Sequence, residues 1–476
     1  MPAAAIIGTL RQFLGESGVL FSHADLAAYR HDSAHRVEDG IICVARPADT
    51  EQVSRVVSAC RAAEIALVPR GGGTGFAGGA LPMPGQDVVL LSLERMRRIR
   101  SIDTIGDVMV AEAGCTLHEL KQAAMSANRL LAIDHGGAGS SSIGGNVATN
   151  AGGNNVVRYG MARKQVLGVE AVLADGSLFG PPSTLRKSNA GYDLRSLIVG
   201  SEGTLAVVTA VALELRPAPV AFATAVLGVE SPHRALDLFH LARSVLGEAV
   251  SAFELMSRRA LEFHFAHAAD RREPFERSTP WAVLLEAEST SRFMDLDAAF
   301  QAFLEQSMDA GLLLDGSMAK SVAQRRSMWK LREGIAVAMG EAGFHIVKTD
   351  TAVPVASSPE FIRRVEAELE RLLPGCVPIA FGHIGDGNIH LNVLPPPGMP
   401  DAEFRERSDD LARAVEDIAL ALDGTVSAEH GIGQGKREAL ARMLSSTEIR
   451  IMRAIKHAFD PAGTLNPGKL FDRPTT

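Results

Sequence analysis

The stretch Pro69-Arg-Gly-Gly-Gly-Thr-Gly-Phe-Ala-Gly-Gly-Ala-Leu-Pro82 sets the tightest limit on the fold. It follows a run that reads as strand (41–45), helix (51–64, capped by Asp49 or Thr50) and strand (65–68). That order predicts a parallel pair joined by a crossover helix. Gly73-Thr-Gly-Phe-Ala-Gly78 formally fits the G-x-G-x-x-G fingerprint, but a working fingerprint opens a helix. Here Gly79, Pro82 and Pro84 follow, and no helix can start. Six glycines directly after a buried strand leave a loop rich in free backbone N–H groups, with few side chains in the way. Such a loop can cradle a pyrophosphate by itself.

A second run, His135-Gly-Gly-Ala-Gly-Ser-Ser-Ser-Ile-Gly-Gly-Asn-Val-Ala-Thr-Asn-Ala-Gly-Gly-Asn-Asn155, reads as a loop for a related reason. So many small residues suit close approach of the backbone to a large flat ligand. Around these loops, residues 1–20 carry the apolar spacing of a docking helix and 25–32 a further helix. Residues 88–93 and 108–113 read as strands, Thr116 caps a helix to 128, and 166–179 is a hairpin turning at Asp175-Gly176. Residues 185–193 are loop, and a strand resumes after the turn Ser201-Glu-Gly203. Arg216-Pro-Ala-Pro219 marks a boundary. Beyond it, strands at 222–229, 252–255 and 280–286 alternate with helices at 231–246, within 290–311 and at 319–340, as in a separate α+β layer. Further helices are expected at 401–422 and 446–459. The fold class is α+β, with domains at 1–218, 219–415 and a C-terminal helical segment, 416–476, packing back on the first.

Bulk properties exclude some functions. The formal charge is −8 with no long basic block, and aromatic content is 5%, which argues against nucleic-acid binding. Cys43, Cys60, Cys115 and Cys376 are scattered and read as buried hydrophobes in a reducing compartment. No apolar run is long enough to span a bilayer and no leader pattern is present, so a soluble, cytoplasmic chain is expected.

The chemistry concentrates in Phe381-Gly-His-Ile-Gly-Asp-Gly-Asn-Ile-His-Leu-Asn-Val393. Two short strands, 379–384 and 389–394, flank a glycine-rich turn. His383 and His390 are seven apart and would face opposite ways on one straight strand. The turn lets them converge, and Asn392 shares a face with His390. Two imidazoles with a carboxylate from elsewhere make a three-ligand metal site with an open position. The carboxylate candidate is Glu429, next to His430 in Ser427-Ala-Glu-His-Gly-Ile-Gly433.

The Arg70–Gly75 loop, Gly144-Gly-Asn-Val-Ala-Thr-Asn-Ala-Gly-Gly153, Gly200-Ser-Glu-Gly-Thr204, His383 to Asn392, Ser427 to Gly433 and Asn466-Pro-Gly-Lys469 occur in this order. Together they resemble the flavoproteins of the vanillyl-alcohol-oxidase superfamily with a PCMH-type FAD-binding domain. Within that group they resemble the FAD-linked D-2-hydroxyacid dehydrogenases, most of all the D-2-hydroxyglutarate dehydrogenases. The resemblance covers nearly the whole chain. It implies a two-subdomain FAD domain, with FAD extended between the subdomains, and a cap domain over the isoalloxazine. Arg70, Gly71, Gly72, Gly73, Thr74 and Gly75 are implied to hold the pyrophosphate. Gly137, Ser141, Gly144, Asn146, Thr149, Ala151 and Gly152 are implied to line the flavin. Gly203 and Val208 are implied to contact it through backbone, and Asn466 to sit near the ring. His135 is the one histidine to weigh for a covalent link; non-covalent FAD is expected.

The same resemblance implies that His383, His390 and Glu429 bind Zn2+, with manganese, iron or cobalt as other fits to an N/N/O set. It makes His430 the general base and a substrate contact, Arg332 and Lys348 the clamp on a distal carboxylate, and Asn392 a hydrogen-bond partner of the substrate. Lys187, Asn189, Tyr192 and Asp193 are expected on the substrate side of the flavin. One position departs from the pattern: Ala336 stands where the 2-hydroxyglutarate enzymes carry a hydroxyl residue. The implied activity is oxidation of D-2-hydroxyglutarate to 2-oxoglutarate by hydride transfer to flavin, with D-lactate or glycolate as the alternative substrate. Electrons are expected to leave to an electron-transfer flavoprotein or a quinone-linked carrier, and a homodimer is expected.

Overall fold

The computed structural model describes residues 3–268 and 272–471. The chain forms two compact units. Unit 1 comprises residues 1–153, 160–218 and 429–476; unit 2 comprises 154–159 and 219–428. Residues 416–428, grouped above with the C-terminal segment, cluster with unit 2.

Unit 1 holds two principal sheets. The first has the order Val19–Leu20, Ile41–Ala45, Val88–Ser92, Ala66–Arg70. Ile41–Ala45 and Ala66–Arg70 are both parallel to Val88–Ser92, which lies between them, so the expected direct pairing does not form. The crossover helix Thr50–Ala62 is capped by Asp49, whose side chain accepts from the Gln52 N–H, and buries Val53, Val56, Val57 and Cys60 as the 3.6-residue period requires. The second sheet is antiparallel, in the order Ile99–Asp103, Val108–Glu112, Ala206–Glu214, Val166–Leu173, Leu178–Phe179. One apolar cluster runs through both sheets and takes in Ile6, Leu10 and Leu14 of the helix Ala3–Leu14. The expected helix at 25–32 is shorter and earlier: Ser22 caps His23–Leu26, and a single 3-10 turn follows.

Unit 2 is built on a seven-stranded antiparallel sheet, ordered Asp315–Met318, Ala221–Val229, Trp281–Ser289, Val250–Ser257, Val377–His383, Asn388–Leu394, Thr351–Ala352. Strand alternation splits its side chains between two cores. One contains Leu227, Leu285, Phe253, Ala380 and Leu391 and packs against helices that include Leu296–Asp309 and Ser358–Leu372. The other contains Val226, Leu284, Met256 and Phe381 and packs against Arg258–His267 and Val322–Gly340. The polar residues discussed below sit on this second face. The residue 358–372 helix goes unread above although Phe361, Ile362, Val365 and Leu369 carry its period. The long helix expected at 401–422 is two, Asp401–Glu406 and Ser408–Leu420. Among the described residues, no helix is long and apolar enough to cross a membrane.

Candidate functional site

In unit 2 the hairpin resolves the parity of the two histidines. The strands pair His383 with Asn388 and Phe381 with His390. His383 and His390 therefore lie diagonally on one face, ring centroids 5.7 Å apart and planes at 76°. Both are buried. Gly387 makes the reversal possible: its φ is +87°, and a Cβ there would stand 2.1 Å from the Val353 carbonyl oxygen.

The strand Val250–Ser257 supplies a group that the sequence reading passed over. Glu254 is 1% exposed. Its Oε1 lies 2.6 Å from His383 Nδ1, and its Oε2 accepts from Arg332 Nε at 2.8 Å. Burial pushes the carboxyl toward neutrality, but the charges and bonds of His383 and Arg332 outweigh it and hold the group well below the ordinary carboxylate range. A carboxylate on His383 Nδ1 fixes that nitrogen as the donor and leaves Nε2 as the lone-pair donor for a metal. The signal was a lone charged residue inside the apolar run Ala252-Phe-Glu-Leu255.

Arg332 stands on the helix Val322–Gly340 and is 5% exposed, its Cζ 5.0 Å from the centre of the Phe381 ring. The His390 ring also packs on Phe381, centroids 5.2 Å apart and planes tilted by 40°. The same helix is pinned one and two turns earlier: Glu286 accepts both Arg325 nitrogens (2.6 and 2.7 Å) and the Trp329 indole N–H (2.8 Å). Residues 325, 329 and 332 form one helical stripe, docked on carboxylates from two neighbouring strands. Met339, on that stripe, is buried, whereas Ala336 is exposed.

Asn392 is buried; its Oδ1 accepts the Thr349 N–H and its amide nitrogen lies 3.0 Å from Met339 Sδ. Lys348 is exposed between buried Val347 and Thr349, and partial desolvation lowers its ammonium from the ordinary value. Residues 346–350 form no strand; an isolated bridge joins Val347 to Val393. Asp350, 1% exposed, accepts from Asn388 Nδ2 and lies 3.9 Å from His390 Nδ1. Its carbonyl accepts the N–H of Ala428, the last residue of unit 2. The next residue in the chain is Glu429.

In unit 1 the two glycine-rich runs meet backbone to backbone. A Cβ at Gly72 would stand 1.9 Å from the Ser140 carbonyl oxygen, and one at Gly71 2.3 Å from Ser142 Oγ. Among the described residues, the N–H groups of Gly72, Gly73, Thr74 and Gly75 donate to no group of the chain. Unspent N–H groups clustered in a glycine loop fit a phosphate. Arg70 is buried; Nη2 donates to the His31 carbonyl, while Nη1 has no hydrogen-bond partner among the described residues. A Cβ at Gly75 or Gly139 would meet open space, so neither glycine is explained by packing within the chain. These features fit FAD.

The second run is not all loop. Ser142 caps a helix, Ile143–Ala148, and accepts the Gly145 N–H. Gly144 faces Ala113, where a Cβ would come within 2.6 Å of Ala113 Cβ. The cap and this close packing outweigh the low helix propensity of two glycines. Thr149 follows the helix, and Ala151 is buried. Asn146 Oδ1 lies 3.2 Å from His135 Nε2, and its Nδ2 donates to Ser141. His135 Nδ1 accepts the Gly137 N–H, and burial depresses the imidazolium. Gly203, at φ +70°, turns the chain into the strand Ala206–Glu214, and Val208 precedes a bulge there. Lys187, Asn189 and Tyr192 lie on an exposed loop, and Asp193 caps the helix Leu194–Ile198.

Glu429 and His430 also belong to unit 1. A Cβ at Gly152 would stand 3.1 Å from Glu429 Oε2, so a glycine there admits the carboxylate. The His430 ring stacks on Phe76, centroids 4.6 Å apart. The loop after His430 is held by Glu202, which accepts the Ile432 and Gly433 N–H groups at 2.8 and 2.7 Å. Asn466 Nδ2 donates to the carbonyls of Gly79 and Glu202, while Asn466 Oδ1 and the Lys469 ammonium are buried without a hydrogen-bond partner among the described residues. Glu202 and Lys469 were not singled out in the sequence; each lies inside a quoted motif.

Two families match the chain. The family described as "FAD binding domain" matches residues 41–179, and "FAD linked oxidases, C-terminal domain" matches residues 218–470. The D-2-hydroxyglutarate dehydrogenase of Xanthomonas citri pv. viticola is 37% identical over 94% of this chain and 93% of that protein. The one of Stutzerimonas stutzeri is 35% identical over 99% and 100%. The mitochondrial D-2-hydroxyglutarate dehydrogenase of Rattus norvegicus is 36% identical over 89% and 77%. Among solved structures, p-cresol methylhydroxylase with substrate bound superposes with a TM-score of 0.79 at 17% identity, covering 98% of this chain and 97% of that one. The 4-ethylphenol oxidase from Gulosibacter chungangensis gives 0.76 at 20% identity, covering 99% and 97%. At these identities the structural likeness speaks for the fold.

Proposed function

The chain belongs to the FAD-linked oxidases, among the relatives of the D-2-hydroxyglutarate dehydrogenases, and from that premise we propose that it oxidises D-2-hydroxyglutarate to 2-oxoglutarate with a divalent metal, zinc by choice, at His383, His390 and Glu429. The observation that carries the metal is the buried pair His383 and His390 on one sheet face, with Glu254 holding Nδ1 of the first. The covalent chain adds support for Glu429, one residue beyond Ala428, whose N–H is bonded to Asp350. Two imidazoles and a carboxylate suit zinc and leave room for substrate.

When bound, FAD supplies the acceptor for a hydride from the alcohol carbon, and the metal supplies a Lewis acid for the hydroxyl oxygen. The remaining work falls to side chains. His430 takes the hydroxyl proton; its stack on Phe76 limits the orientations of the imidazole. Arg332, with Nε committed to Glu254, offers its terminal nitrogens to the distal carboxylate, and Lys348 supplies a second cation. Asn392 orients the substrate from beside His390. An electron-transfer flavoprotein or a quinone-linked carrier would be the electron acceptor. Ala336 favours a second reading, a substrate without the distal carboxylate such as D-lactate.

The test joins metal analysis of purified protein to steady-state turnover of D-2-hydroxyglutarate, D-lactate and glycolate with an artificial acceptor. The expected result is about one zinc per chain, as for a single three-ligand site, and the highest kcat/KM for D-2-hydroxyglutarate. A preference for D-lactate ends the dicarboxylate assignment, and active protein free of metal ends the metal site.

A further inference from the structure

We propose that Glu254 is a positioning residue that couples the metal site to carboxylate recognition, one oxygen orienting His383 and the other orienting Arg332. This rests on the reading above, in which His383 binds metal and Arg332 binds the distal carboxylate. The geometry is specific. The strand register pairs Leu255 with Gly382 and Met256 with Phe381, and carried one residue on it sets Glu254 beside His383. Each carboxylate oxygen then has its own partner, His383 Nδ1 at 2.6 Å and Arg332 Nε at 2.8 Å.

A purely structural role explains this less well. An arginine used only to neutralise a buried glutamate does so best with a bidentate fork. The neighbouring Glu286 is held that way by Arg325, through Nε and Nη2. Arg332 meets Glu254 through Nε alone, its guanidinium over the Phe381 ring, which keeps the terminal nitrogens out of the pair. The carboxylate is thereby divided between two partners that act on opposite ends of a 2-hydroxy dicarboxylic acid. A metal-ligating histidine held by such a carboxylate is fixed in tautomer and angle. Loss of the carboxylate removes the bond that sets the His383 tautomer and lets Arg332 swing.

The experiment compares wild-type holoenzyme with Glu254→Gln in three measurements. Zinc affinity is measured by chelator competition, KM for D-2-hydroxyglutarate and for D-lactate with an artificial acceptor, and bound flavin by visible absorbance. The substitution is expected to weaken zinc binding by about 10- to 100-fold. KM for D-2-hydroxyglutarate should rise about 10-fold more than KM for D-lactate, the equivalent of one charged hydrogen bond, while flavin content is retained. Wild-type zinc affinity in the variant, or equal KM changes for the two substrates, overturns the coupling and leaves the metal site standing. A wild-type protein that binds no zinc overturns the metal site itself, and the coupling with it. Should Glu254→Gln not fold, Glu254→Asp is read in its place. It keeps the charge but loses reach, and zinc affinity must still fall below wild type; an unchanged affinity there also overturns the proposal.

Discussion

Ala336→Thr should sharpen the preference for a dicarboxylate. Residue 336 lies one helical turn beyond Arg332, and Cβ atoms at that spacing stand about 5–6 Å apart, close enough for both side chains to reach one carboxylate. Ala336 is exposed, so the added atoms displace nothing in the chain, whereas Arg332 is held in place by Glu254. The substitution costs up to about 0.7 kcal/mol of helix propensity. A hydroxyl hydrogen bond to a charged carboxylate contributes roughly 1.5–3 kcal/mol. At 1.4 kcal/mol per tenfold, that gain corresponds to a rise of about 10- to 150-fold in kcat/KM for D-2-hydroxyglutarate. D-Lactate, which lacks the second carboxylate, is the control and should change less than about twofold, the size of a neutral surface substitution. Steady-state kinetics of both substrates with an artificial acceptor measure the ratio. If the ratio stays at its wild-type value, or if both substrates improve alike, residue 336 does not face the distal carboxylate and the assignment of Arg332 loses its support.

Two further outcomes test the unit that carries the flavin loops. Gly72→Ala places a Cβ 1.9 Å from the Ser140 carbonyl oxygen, a backbone atom that cannot turn aside, so the two loops must part. The variant should purify with little bound flavin by visible absorbance, and full yellow occupancy would refute the cradle. Lys469 gives a pH signature. Burial, with Arg437 adding and Glu202 opposing, lowers its ammonium to about 8. Below that value both folded and unfolded chains carry the charge; between it and the unfolded value near 10.4 only the unfolded chain is protonated, so stability should climb with pH by about 3 kcal/mol. Urea denaturation of flavin-free protein at pH 7 and 10 should show this climb in wild type and lose it in Lys469→Met, which should also be the more stable at pH 7. Parallel pH profiles for the two proteins would contradict the buried charge.

What could be read beforehand follows from which interactions are local. The helix Thr50–Ala62 and its Asp49 cap, the hairpin Val166–Leu173 with Leu178–Phe179, and the histidine strands are written in short-range periodicity and turn chemistry, and they form close to where that pattern puts them. The insertion of Val88–Ser92 between two strands expected to pair is a matter of sheet order, which no local pattern encodes. The helix Ile143–Ala148 is hidden by its own composition: glycine argues against a helix until Ala113 is known to press on Gly144. Glu254 was the costliest omission. A charge in an apolar strand can mark a bend, an edge or a buried pair, and choosing among these requires knowing that His383 lies opposite and Arg332 above, 129 and 78 residues away. Of the residues proposed to do chemistry, His383, His390, Glu429 and His430 lie in motifs, whereas Arg332 and Lys348 lie in none. Glu254, proposed to aim two of them, lies in none either, because only the folded chain constrains it. Where an arginine and a metal-type histidine are both buried, the partner to seek is therefore a carboxylate on the strand between them, and the sequence position to suspect is the charged residue that an amphipathic reading would prefer to ignore.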